Sequence, residues 1–142
     1  MKVTLFSLLL LAGYIASAQQ VYTTKDGAIS GYDAVAYFTE AKPVKGDSKY
    51  STKWKDATWY FSSEKNLNLF KSSPEQYAPQ YGGYCAYGTS RGYKAPTQPE
   101  AWSTVDGKLY LNYNLDVQKT WSADRANLIK KADVNWKKIE AE

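Results

Sequence analysis

Cys85 is the one cysteine of the 142-residue chain, and histidine is absent. Together these facts bound the chemistry. A Cys–His or Ser–His nucleophilic pair, a His-rich zinc site and an axial histidine for haem are all excluded. One thiol with no imidazole cannot build a tetrahedral soft-metal site within one chain; a thiolate pair shared between two chains stays open. Cys85 follows Gly82-Gly83 and stands among Tyr81, Tyr84 and Tyr87. Three uses of such a thiol are open: a small buried hydrophobe, a ligand for copper or zinc completed by a partner protein, or a redox thiol. Reactivity would require a lowered pKa, from a helix start at the glycine pair or from Arg91 further along. Redox exchange would also require an external resolving thiol. An oxidising compartment exposes a surface thiol to disulfide exchange, which argues for burial.

Other chemistries find less support. Asp33, Glu40 and Glu100 are acids that a hydrolase would need to bring together in pairs, and nothing in their spacing pairs them. No calcium-loop spacing occurs, and Gly82-Gly83 lacks the Lys-Ser/Thr that completes a phosphate-cradling loop. The chain has 13 tyrosines and five tryptophans. Trp54, Trp59, Trp102, Trp121 and Trp136 fall at inward positions of the expected elements and are assigned to the core. Tyr32, Tyr84, Tyr87 and Tyr113 flank glycine or asparagine turns and are candidates to line a ligand groove, where an aromatic face and a phenol tip are both useful.

The elements that would position these residues are readable. Ala34 to Phe38 reads as a short strand or buried extended segment. Tyr50, Thr52 and Trp54 alternate with polar neighbours as a half-buried strand requires. Lys55-Asp56 is a hairpin turn and Thr58 to Phe61 the return strand. Ser62 or Ser63 caps a helix with Glu64 at its positive end and Leu67 and Phe70 on its inward side. Pro74 suits a first helical position. A short helix is expected from Tyr84 to near Gly92, then a loop framed by Pro96 and Pro99. Asp106-Gly107 is the strongest hairpin signal, joining Trp102–Val105 to Lys108–Tyr113. The remainder is helical: Ile129, Ala132, Trp136 and Ile139 form an inward stripe, and Lys130, Lys131, Lys137 and Lys138 a solvated face. Two hairpins with intervening helices and a C-terminal helix make a small α+β domain.

Lys2, the apolar run Val3 to Ile15 and the small-x-small Ala16-Ser17-Ala18 have the form of a signal peptide over residues 1–18. Cleavage there leaves Gln19 first and residues 19–142 as a single domain, close to the common size of about 100–150 residues. The run is shorter than the roughly 20 residues a membrane span needs, and no cysteine follows to carry a lipid. The expectation is an exported protein, periplasmic or extracellular, with no membrane span in the mature chain. The net charge of +4 is mild, and loses one unit with Lys2. Scattered basic residues on an exported chain give no nucleic-acid reading.

Trp59-Tyr60-Phe61-Ser62-Ser63, Phe70 and Pro74-Glu75-Gln76-Tyr77 are spaced as in the YHS-domain signature, which this segment resembles. That signature has an aromatic strand, a Cys-Ser step, a second Cys four residues on, a Phe, and Pro-Glu-x-Tyr. Gly31 to Tyr37 is similar to a variant of the family's opening Asp-Pro-Val-Cys segment. The family's thiol positions fall here on Ala36, Ser62 and Asn66. Heavy-metal handling in the family rests on thiolates, which suit soft metals; serine and asparagine are poor substitutes and alanine is none. The resemblance therefore implies the fold but not the metal role. Tyr81 to Tyr87 and Val105 to Asn114 resemble an exported YHS-like subgroup lacking the usual cysteines, which extends the likeness over roughly Gly31 to Trp136. The leading expectation is a non-enzymatic binding or accessory module for a small molecule, metal ion or periplasmic protein. Its alternatives are copper or zinc handling through Cys85, and thiol redox activity through Cys85.

Overall fold

The structure, a computed structural model, describes residues 20–142. The signal peptide expected over residues 1–18, and Gln19, lie outside the described residues. Among the described residues, three antiparallel hairpins alternate with short helices. The first, β1 (Thr23–Thr24) with β2 (Gly27–Ala28), is minimal. The second joins β3 (Asp47–Trp54) to β4 (Ala57–Phe61), with Trp54 opposite Ala57 and a register shift between Asp47 and Ser51. Its turn residues, Lys55 and Asp56, take φ of 50° and 58°, the left-handed pair whose twist matches the strands. The third joins β5 (Trp102–Val105) to β6 (Lys108–Leu111) through Asp106 and Gly107, also left-handed. The α+β class follows from these hairpins and the helices between and after them.

Ala34 to Phe38 is not extended. Residues Ala36–Thr39 form a helical turn, α1, entered through Asp33, whose Oδ1 accepts from the amides of Val35 (2.9 Å) and Ala36 (3.0 Å). An aspartate side chain that satisfies the first free amides of a turn favours helix over strand locally. That outweighs the apolar run Ala34-Val35-Ala36. Helix α2 (Glu64–Ser72) is capped by Ser63, which accepts from Asn66 N at 3.1 Å, and Pro74 opens α3 (Pro74–Tyr77). Helix α4 (Ala86–Ser90) is short; α5 (Leu115–Ala123) is capped by Asn114, and α6 (Arg125–Ile139) follows a break at Asp124. No helix among the described residues is long and apolar enough to cross a membrane.

Buried side chains among the described residues form two clusters. The first gathers Val35, Tyr37, Trp59, Phe61, Phe70, Leu109 and Leu111 among others. Phe70 of α2 lies 5.0 Å from the Trp59 ring and 4.9 Å from Phe61, and such ring pairs add about 0.5–1.5 kcal/mol each beyond burial. The second comprises Tyr81, Ala86, Tyr110, Trp121 and Ala132, with Ile129 and Trp136 packed against it. Strand β6 belongs to both, because alternate side chains leave opposite faces: Leu109 and Leu111 enter the first cluster and Tyr110 the second. Of the five tryptophans, Trp59 and Trp121 are fully buried, whereas Trp54, Trp102 and Trp136 are half-buried.

Candidate functional site

The three positions that the resemblance assigns to thiols converge on one carboxylate. Asp33 is completely buried. Its Oδ1 is held by the amides of Val35 and Ala36 at the start of α1. Its Oδ2 accepts from Ser62 N (2.8 Å), Ser62 Oγ (2.7 Å) and Asn66 Nδ2 (2.8 Å). Five donors thus surround a group with about four lone-pair sites. The Ser62 hydroxyl and the Asn66 amide both point hydrogens inward, and no soft donor is present. This donor set does not fit the soft metal that the family's thiolates hold. Among the described residues, no group of three or more His, Cys, Asp or Glu side chains is arranged to hold a metal ion.

Cys85 is 2% exposed and caps α4. Its Sγ accepts from Gly88 N at 3.4 Å, and the thiol donates to Asn112 Oδ1 at 3.5 Å. The same Oδ1 accepts from Tyr87 N at 3.0 Å, while Asn112 Nδ2 is buried with no hydrogen-bond partner. Burial pushes the thiol pKa up; the amides of Gly88, Tyr113 and Tyr87 oppose that without reversing it. The helix start that would have activated Cys85 is therefore present, but desolvation outweighs it.

The candidate tyrosines do not form one site. Tyr87 and Tyr113 approach Cys85 through their backbone amides, while the Tyr113 side chain is 48% exposed and Tyr87 lies near the Arg91 guanidinium. Tyr32 is paired with Lys45 in an isolated bridge, the lysine ammonium 5.6 Å from its ring. Tyr84 packs on Tyr22 and Trp136. Tyr81 is buried, and its hydroxyl donates to Asp133 Oδ1 at 2.9 Å. Burial first, and that hydrogen bond second, push the Tyr81 phenol far above its ordinary pKa.

Tyr81 also lines a cleft of about 480 Å³, within the range of small-molecule sites. Its backbone is left-handed (φ 59°), uncommon for a tyrosine, as is that of Gly82 (φ 63°). Gly82 lets the N-terminal segment cross: a Cβ there would collide with the Gln20 carbonyl oxygen, and Tyr22 N donates to Gly82 O. One wall is the tip of the second hairpin, Trp54 and Lys55, with Trp59 behind it; another is Glu75 of α3 with Ala78 and Pro79. The facing wall is α6 with its C-cap: Asp133, Trp136 and Lys137 from the helix, and Glu140 at its end. Most of these residues escaped the sequence reading, since the cleft is lined from five separated stretches. The α6 set had a signal, because 133, 136, 137 and 140 share one helical face.

Residues 35–81 match the YHS domain family. No curated protein and no solved structure matches the chain. The matched segment spans α1, the second hairpin, α2 and α3, and ends at Tyr81. One side of the cleft thus comes from the matched segment, and the other from β6 and α6 beyond it.

Proposed function

We propose that residues 19–142 constitute an exported, non-enzymatic YHS-like binding module that works without a bound metal, its ligand seated in the cleft between the YHS-matched segment and α6. The observation that carries this reading is the cleft itself: a small-molecule volume with aromatic walls and charged groups of both signs. The Asp33 centre supports the metal-independent part, because the positions that would hold thiolates are hydrogen-bond donors to a carboxylate. Copper or zinc handling and thiol redox activity both depend on Cys85. Burial and a raised pKa weigh against them, since the thiolate is the ligand and the nucleophile. The leader over residues 1–18 supports export, and an N-terminus at Gln19 on the secreted chain is the expected product.

The test is a screen of a mixed small-molecule library against the processed chain, followed by NMR of the tryptophan indole N–H groups. Saturable shifts at Trp54 and Trp136 are expected, with the Trp54 shift lost in Trp136→Ala while the rest of the spectrum is retained. Binding that maps elsewhere, or a purified protein holding stoichiometric copper or zinc that Cys85→Ala loses, would overturn the proposal.

A further inference from the structure

Charge is balanced across the cleft: Lys55, Lys108 and Lys137 face a space shared with Glu75, Asp133 and Glu140. Among the described residues none of these six is ion-paired with another. Asp133 takes one hydrogen bond from Tyr81 through Oδ1 and has Oδ2 to offer. From this arrangement, and resting on the cleft reading above, we infer that the ligand is a small zwitterion of peptide character, a dipeptide or tripeptide with free termini.

Three features select that class. A polyanion or polycation would meet repulsion from half of the charged groups, whereas a ligand carrying both signs can match both sets. On α6 an acid, a tryptophan and a lysine share one face at Asp133, Trp136 and Lys137, the acid and the lysine about 6 Å apart along the axis at 1.5 Å per residue. An extended peptide advances about 3.3–3.6 Å per residue, so a short peptide spans that distance with its ammonium toward Asp133 and its carboxylate toward Lys137, a side chain lying against Trp136. A sugar fits less well. An uncharged sugar answers neither set of charges, and Trp59, only 1% exposed, offers it no stacking face.

The test titrates the processed chain with Ala-Phe and Leu-Tyr, their N-acetyl forms, their C-terminal amides, and maltose, reading the Trp54 and Trp136 indole signals. The free dipeptides are expected to bind at least tenfold more tightly than either blocked form. Lys137→Glu is expected to lower that preference over the amides while leaving the fold intact by its amide spectrum. Equal binding of free and blocked peptides, or a preference for maltose at these signals, refutes the zwitterion class and leaves the cleft reading standing. If the dipeptides leave both indoles unmoved while library compounds move them, the class again falls alone. If nothing tested moves them, both readings fall.

Discussion

Asp33 Oδ2 and Asn66 Nδ2 lie 2.8 Å apart although 33 residues separate them. The bond ties the entry of α1 to α2, and Ser62 at the end of β4 joins the same oxygen. Where the resemblance places metal-binding thiols, this chain has a carboxylate cross-link made from ordinary donors.

Replacing Asp33 should therefore be costly out of proportion to its size. Asp33→Ala leaves Ser62 Oγ and Asn66 Nδ2 in a buried site without their acceptor, at roughly 1–3 kcal/mol for each such group. A total loss of about 3–5 kcal/mol is expected, read as a lower midpoint in urea at unchanged slope. Asp33→Asn should fall between, because an amide keeps one acceptor but turns hydrogens toward Asn66. A loss below about 1 kcal/mol would show that the network is incidental.

Cys85 should behave as a sealed thiol. A thiol reagent is expected to leave the native protein unmodified at neutral pH and to titrate one equivalent once denaturant is added. The folded pKa is raised, so the native state keeps its proton where the unfolded chain loses it. The stabilising contribution is then complete below the unfolded value of about 8.5 and declines as pH rises through the folded one. Cys85→Ala should flatten this first part of the alkaline stability curve.

At higher pH two phenols take over. Burial, then the charges of Tyr32 and Glu100, push the Tyr37 phenol up, and its hydroxyl donates to Pro99 O at 2.9 Å. Tyr81 is raised for the reasons given above. Both hold protons that an unfolded tyrosine releases near about pH 10, so stability should drop from there upward. A spectrophotometric phenolate titration is expected to show these two rings ionising only with unfolding. Tyr37→Phe should reduce the alkaline slope, and an unchanged slope would contradict the assignment.

Hairpins were the most legible part of the fold, because Lys55-Asp56 and Asp106-Gly107 announce their turns locally and the strand alternation of Tyr50, Thr52 and Trp54 is complete. The caps at Ser63 and the helix start at Pro74 were legible for the same reason. Ala34 to Phe38 was misread because the Asp33 cap on Val35 and Ala36 was not weighed, and the partners that hold that carboxylate buried, Ser62 and Asn66, arrive from far along the chain. The YHS likeness was visible in the spacing and is matched over residues 35–81. The cleft was not, since no local pattern says that a hairpin tip near 54 will face a helix near 136. For Cys85, sequence supplied the helix start but could not weigh it against burial.

Strand β6 gives its two flanks to different neighbours, Leu109 and Leu111 to one and Tyr110 to the other. Residues 35–81 are thus not a portable unit here: excised, they would open the aromatic packing around Trp59 and Phe70 to water on the side β6 had closed. A shortened chain ending at the matched boundary should aggregate rather than fold, and the tail that builds half of the cleft is also what keeps the other half dry.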